Sequence, residues 1–199
     1  MVRAAICREH GPPEGVLVED HTVAPAGPGQ VGVRVSTAAV NFPDVLLVAD
    51  DYQVSIDTPF VPGSEFAGVV DEVGSPGTGF TVGDRVTGTG MHGAFAQRVV
   101  VNASSLSPIP DGIDDVTAGA AGVAHRTAYH SLRSVGRVQS GDEVVVLGAG
   151  GGVGLAAVQI AVALGAVVTA VASSTEKLDA AACHGATRLI DHTADDLRA

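Results

Sequence analysis

The stretch Glu143-Val-Val-Val-Leu-Gly-Ala-Gly-Gly-Gly-Val-Gly154 decides the fold of the second half of this chain. A short apolar run, Glu143–Leu147, reads as a strand. The turn Gly148–Gly154 follows, and then Leu155–Leu164 reads as a helix that stops at Gly165. In that order of elements, free backbone N–H groups and the positive end of a helix dipole converge on an anion. Glycine is needed where a Cβ would block a phosphate or hold the helix away from the strand. The strict G-x-G-x-x-G pattern is not met. The turn fits Ala149-x-Gly151-x-x-Gly154, or equally Gly148-x-x-Gly151-x-x-Gly154, a slightly longer variant. Gly148, Ala149, Gly151, Gly152, Val153 and Gly154 are therefore read as a dinucleotide pyrophosphate site. The plainer alternative, a flexible turn with no ligand, is weakened by the strand and helix on either side.

Beyond this stretch the alternation continues. Val167–Ala172 is a strand, and Ser173-Ser-Thr-Glu176 matches a capping box with Ser173 as N-cap. The helix it opens runs to His184 and ends at Gly185, and Arg188–Asp191 is a third strand. Strands alternating with helices indicate a parallel, doubly wound sheet. A site for NAD ordinarily has an acidic residue at the tip of the second strand for the ribose 2′-OH. Here that tip reads Ala170-Val-Ala-Ser-Ser174, with Lys177 shortly after. Two hydroxyls and an ammonium suit a 2′-phosphate, so Ser173, Ser174 and Lys177 point to NADP(H) rather than NAD(H).

Upstream, the texture is different. Gln30–Val35 alternates polar and apolar residues, and Phe66–Val73 and Phe95–Val101 read as further strands between Gly/Pro turns. One helix fits Asn41–Val48, with Pro43 in its first turn. Short strands with such turns predict a small barrel or curled sheet. Asp114–Ser131 is Ala-rich and reads as a helix. The chain thus divides into a β-rich domain over residues 1–120 and an α/β domain over 121–199.

Composition limits the partners. The net charge is −11, and the eleven Lys and Arg are scattered singly, which disfavours nucleic acid and anionic membrane surfaces. Cys7 and Cys183 are far apart and form no C-x-x-C pair, which fits a reducing compartment. Cys183, among alanines in a helix, reads as a buried, inert thiol. The start of the chain has no apolar signal core, so a cytoplasmic location is expected.

Several motifs in family order carry a resemblance across nearly the whole chain. They are Asn41-Phe-Pro-Asp44, Pro59-Phe-Val-Pro-Gly-Ser-Glu-Phe-Ala-Gly68, Val82-Gly-Asp-Arg-Val86, Thr127-Ala-Tyr129, the glycine turn and Ser173–Lys177. Together they resemble the zinc-independent NADPH:quinone oxidoreductases of the medium-chain dehydrogenase/reductase superfamily. The resemblance implies a GroES-like catalytic domain, then a Rossmann domain, with the active site in the cleft between them. Zinc-dependent relatives carry Cys and His where this chain has Asn41 and Ser64. The four-cysteine structural zinc loop is missing, and the seven histidines show no ligand spacing, so no metal is expected.

Without a Lewis acid, reduction of an electrophilic acceptor, a quinone or an α,β-unsaturated carbonyl, is favoured over alcohol oxidation. The resemblance places Asn41 and Tyr52 on the substrate side of the nicotinamide and Thr127 at its contact, and His192 near the adenosine ribose. Asp44 joins the catalytic candidates, although Asn41 and Asp44 also suit a helix cap and Tyr52 a half-buried core position. His125 and Arg126 depart from the family, either tuning the nicotinamide pocket or facing solvent.

Only three Rossmann strands precede Ala199, with Thr193–Ala199 reading as the start of a further helix. The chain therefore resembles the front part of the enzyme, as a fragment, a truncated gene product or one piece of a split protein, and the full-length form is expected to be a homo-oligomer. Two other readings stand beside it: an enoyl reductase of the same superfamily, and a catalytically silent NADPH-binding or interaction module.

Overall fold

A computed structural model describes residues 1–194. The chain contacts divide it into two compact units, Met1–Val123 and one that begins at Ala124.

The first unit is β-rich. β1 (Val2–Ile6) and β2 (Leu17–His21) form an antiparallel pair. β3 (Gln30–Ala39), β4 (Glu65–Val73), β5 (Arg85–Thr89), β6 (Arg98–Asn102) and β7 (Leu106–Pro108) form an antiparallel sheet in the order β6-β3-β4-β5-β7. The strand expected over Phe95–Val101 splits its pairing. Its first residues bond to β1, with Ala5 N–H on the Phe95 carbonyl at 2.8 Å, and it joins β3 from Gln97, whose carbonyl accepts the Val35 N–H at 3.0 Å. The register of β3 against β4 shifts between Gly32 and Val33 and again between Val35 and Thr37. Bulges of this kind bend a sheet, which is how a short-stranded sheet curls. At Gly68 on β4 a Cβ would run into the Arg34 carbonyl, so the close approach at the second shift depends on glycine. Val31, Val33, Val70 and Val86 are essentially inaccessible at the centre of this unit.

α1 (Phe42–Ala49) rests on β4's N-terminal end. Asn41 is its N-cap and Pro43 lies in the first turn, where the missing N–H costs nothing. The helix ends at Asp50, whose φ of 60° is left-handed. Leu47 and Val48 of α1 pack with Cys7 and Phe60, and burial pushes the Cys7 thiol up from its ordinary value.

The helix expected over Asp114–Ser131 is broken. α2 (Asp115–Gly119) and α3 (Ala124–Tyr129) are separate, and a π-helical turn, His130–Val135, follows α3. The cause lies in β4. A Cβ at Gly122 would stand 3.0 Å from Glu65 Oε2, and Val123 donates its backbone N–H to that oxygen at 2.9 Å. Helical periodicity yields here to a side-chain acceptor that takes the N–H.

The second unit is a parallel sheet, β10 (Arg188–Asp191), β9 (Val167–Ala172) and β8 (Glu143–Leu147), in that order. α4 (Gly152–Ala163) and α5 (Thr175–Cys183) pack on it. α4 begins three residues earlier than expected. Gly151 is its N-cap, and Leu155 N–H bonds the Gly151 carbonyl at 2.8 Å. Val146, Val158, Val168, Ala170 and Ala181 form the core, where alanines let helix and sheet approach closely. Cys183 is exposed, not buried. The alanines beside it suggested an interior position, but the buried face of α5 is set by Leu178 and Ala181. The helix expected over 193–199 falls outside the described residues from 195 onward. No helix among the described residues is long and apolar enough to cross a membrane.

Candidate functional site

The glycine turn, the tip of β9 and the end of β10 meet at the C-terminal edge of the parallel strands. Ala149 N–H bonds the Val171 carbonyl at 3.0 Å, which ties the turn to β9. Gly148 has a φ of +66°, and its carbonyl accepts the Gly151 N–H at 3.0 Å, closing the turn. A Cβ at Gly154 would collide with the Gly148 carbonyl oxygen and lie 2.9 Å from the Ala149 Cα. Nothing stands within 4 Å of where a Cβ on Gly152 would be, so the space above the first turn is open. Gly151, Gly152 and Val153 are exposed, and α4 has no side-chain cap. The N–H groups of its first turn are those that a helix leaves without an intrahelical partner. This donor set fits a pyrophosphate.

The N-cap of α5 is Ser174, not Ser173. Ser174 Oγ accepts the Lys177 N–H, so the expected capping box is displaced by one residue. β9 runs to Ala172, which leaves Ser173 in the bend between strand and helix. Freed from capping, Ser173 Oγ accepts from Lys177 Nζ at 3.2 Å. The stem of Lys177 crosses Gly150, where a Cβ would collide with it. A hydroxyl and an ammonium therefore stand together beside the glycine turn. His192 joins them through its backbone N–H, which bonds the Ala172 carbonyl at 3.1 Å, and its side chain is exposed. Thr127 lies exposed on α3, where its carbonyl accepts from Ser131 Oγ at 2.9 Å.

His125 is half-buried. Its Nε2 lies 3.1 Å from Gln159 Oε1, and Gln159 Nε2 lies 3.1 Å from His184 Nδ1. This chain ties α3 to α4 and to the end of α5. Arg126 is exposed.

In the first unit, β4 and α1 bring Asn41, Asp44, Ser64 and Glu65 together. Asp44 Oδ2 accepts the Asn41 N–H at 2.7 Å, and Asn41 Nδ2 donates to Glu65 Oε1 at 2.8 Å, with Ser64 Oγ at 3.5 Å. Both carboxyls are buried, Asp44 at 2% exposure and Glu65 at 1%. Burial raises the Asp44 carboxyl from the ordinary carboxylate range, against the Asn41 N–H it accepts and the nearby Ser64 hydroxyl, and Glu65 raises it further. Asp44 Oδ1 is buried without a hydrogen-bond partner. Tyr52 is half-buried, with its ring packed on the cluster of Cys7, Leu47, Val48 and Phe60. A cavity of about 710 Å³ in this unit includes Ser64, Phe60 and His92 in its lining. Among the described residues no group of three or more His, Cys, Asp or Glu could hold a metal ion. At the two positions in question the donors present are an amide and a hydroxyl, a poor set for zinc.

Glu65 is the site residue that sequence reasoning missed. The available signal was a carboxylate opening an otherwise apolar strand, Phe66–Val70.

This constellation, a curled β unit with a polar buried cluster followed by a glycine-turn nucleotide unit, defines a medium-chain dehydrogenase/reductase. Residues 27–111 match the alcohol dehydrogenase GroES-like domain, and residues 152–199 match the family described as zinc-binding dehydrogenase. The chain belongs to the medium-chain dehydrogenase/reductase superfamily, and its homologues include proteins named quinone oxidoreductase-like. It is 37% identical over 198 residues to quinone oxidoreductase-like protein 2 homolog of Nematostella vectensis, covering 98% of this chain and 54% of that relative. A mycocerosic acid synthase-like polyketide synthase of Mycobacterium tuberculosis is 38% identical over 155 residues, 78% of this chain and 7% of the synthase. Among solved structures, the quinone oxidoreductase of Thermus thermophilus, determined also in complex with NADPH, superposes with a TM-score of 0.84 at 32% identity. That match covers 96% of this chain and 60% of that one. The chain thus spans little more than half the length of its quinone oxidoreductase-like relative.

Proposed function

We propose that this chain serves an NADPH-dependent oxidoreductase that reduces quinones or related electrophilic carbonyls by hydride transfer, without zinc. One observation carries the reading: an amide N–H and a hydroxyl, Asn41 and Ser64, stand against two buried carboxylates where zinc-dependent relatives have ligands. Such donors polarise an acceptor oxygen rather than generate an alkoxide.

The cofactor would be held by the first-turn N–H groups of α4 at its pyrophosphate, and by Ser173 and Lys177 at the 2′-phosphate. Ser174, as the N-cap, fixes the start of α5 and so the place of Lys177. When bound, the dihydronicotinamide supplies the hydride. Asn41 and Tyr52 donate hydrogen bonds to the acceptor oxygen as charge develops there, and a proton from solvent completes the hydroxyl of the product. Asp44 holds the Asn41 backbone and acts through it.

The test is NADPH oxidation by the purified protein with a simple quinone, followed by stopped flow. Turnover with the quinone, and weaker binding of NADH than of NADPH, are the expected results. Equal affinity for the two cofactors would remove the 2′-phosphate reading, and stoichiometric zinc by elemental analysis would remove the metal-free one. The similarity to a polyketide synthase favours a second reading, an enoyl reductase, which a preference for an α,β-unsaturated acyl thioester over quinone would establish.

A further inference from the structure

We propose that Glu65 is a positioning residue that sets the Asn41 amide, so that an Nδ2 hydrogen of Asn41 faces the carbonyl oxygen of the hydride acceptor. The proposal rests on the reading of Asn41 as a substrate-side residue. Glu65 is 1% exposed, and both of its oxygens are engaged. Oε2 accepts the Val123 N–H at 2.9 Å, and Oε1 accepts from Asn41 Nδ2 at 2.8 Å. A backbone N–H is a donor that cannot be turned around. A carboxylate presents acceptors at both ends, so the Asn41 side must also present a donor. Glu65 on the Nδ2 side and the capping box on the other, where the Asn41 side chain accepts the Asp44 N–H, agree on this orientation of the amide.

One Nδ2 hydrogen of Asn41 is taken by Glu65. The other is directed toward Ser64 Oγ, at 3.5 Å a long contact that a carbonyl oxygen entering the site can replace. The surroundings hold Glu65 in place. Gly122 has no Cβ to strike Thr89 or Glu65, so the chain comes close enough for Val123 to reach the carboxylate. Glu65 also begins β4, paired with Thr89 of β5. Glutamine cannot do the same work. It has one acceptor and one donor end, and with its oxygen on Val123 its NH₂ faces the Asn41 NH₂, a clash of donors that turns that amide over at the expense of its capping contact with the Asp44 N–H. Asn41 would then show its carbonyl oxygen to the acceptor.

The experiment compares the full chain with E65Q, N41D and N41D/E65Q. The Asn41 side-chain amide resonances are identified by their loss in N41D. In E65Q these resonances should shift, and kcat for quinone reduction should fall on the order of a hundredfold, as when an oxyanion donor is lost. KM for NADPH should stay unchanged. N41D places an acceptor opposite Glu65 and should lower the melting temperature. N41D/E65Q restores a donor–acceptor match and should recover that melting temperature while kcat stays low. A Glu65 that served only the Val123 segment would give additive melting shifts. Asn41 amide resonances unmoved in E65Q, additive melting shifts, or unchanged kcat in E65Q would each overturn the proposal. Should E65Q fail to fold alone, folding of N41D/E65Q supports the pairing and its failure to fold refutes it. A wild-type chain that oxidises no NADPH with any quinone defeats the functional reading instead, and the amide resonances and melting cycle still judge the Glu65–Asn41 pairing.

Discussion

The glycine turn and the Asn41–Glu65 cluster are built in opposite ways. The turn works through backbone: residues 148–154 are contiguous, and the decisive property at Gly154 is the absence of a side chain. The cluster works through side chains, and its members come from α1, from β4 and from the segment that ends at Val123. A contiguous backbone site tolerates little at its tight points but asks nothing of distant residues. An assembled side-chain site depends on matching donors with acceptors, and one altered partner changes the direction in which another points.

The largest expected effect tests the backbone site. Gly154→Val forces a side chain into the Gly148 carbonyl and should cost about 3 kcal/mol, at the upper end of overpacking costs. A fall in melting temperature together with loss of NADPH binding by calorimetry is expected; retained binding would mean that helix and turn can separate without harm. Next in size, Lys177→Ala should weaken NADPH about tenfold while leaving NADH unchanged, the loss of one charge-assisted contact. Equal losses for both cofactors would place Lys177 on the pyrophosphate or in the fold rather than at the 2′-phosphate.

The third prediction concerns the side-chain cluster. Burial raises the Asp44 carboxyl, so the folded protein keeps that proton to a higher pH than the unfolded chain does. Stability from this group is full below the ordinary carboxylate range and is lost as pH rises through the folded value. Asp44→Asn does not titrate, so wild type should lose stability relative to the variant as pH is raised from the acid side to neutrality. Denaturant midpoints across that range measure it, and a constant difference would contradict the burial argument. The smallest effect is expected from Ser174→Ala, which removes the α5 cap at a cost of about 0.5–1 kcal/mol. Ser173→Ala should leave stability nearly unchanged and weaken NADPH. The reverse pattern would return the cap to Ser173.

Much of the second unit was legible because its signals are local. The strand over 143–147, the strand over 167–172 and the third over 188–191 follow from apolar runs closed by glycine or by a cap, and all three were found where the sequence places them. The cap itself was misplaced by one residue, because Ser173 and Ser174 are chemically equivalent and only the length of β9 separates them. In the first unit, β1 and β2 went unread, since Val2–Ile6 and Leu17–His21 lack a clean alternation and are held by pairing with each other and with residues near Phe95. The break between α2 and α3 was also invisible. Ala-rich sequence favours helix, and only the Glu65 carboxylate, 58 residues away in the chain, takes the N–H of Val123.

By itself, the sequence determined the alternating α/β order and the glycines of the turn between Leu147 and Leu155. These properties reside in residue identity or in neighbours a few positions apart. Only the tertiary structure decided which serine caps α5, that Lys177 meets Ser173, and that Glu65 meets Asn41. Each of these depends on which donor finds which acceptor once distant strands are in register, and hydrogen-bond partners are chosen by distance in space rather than along the chain.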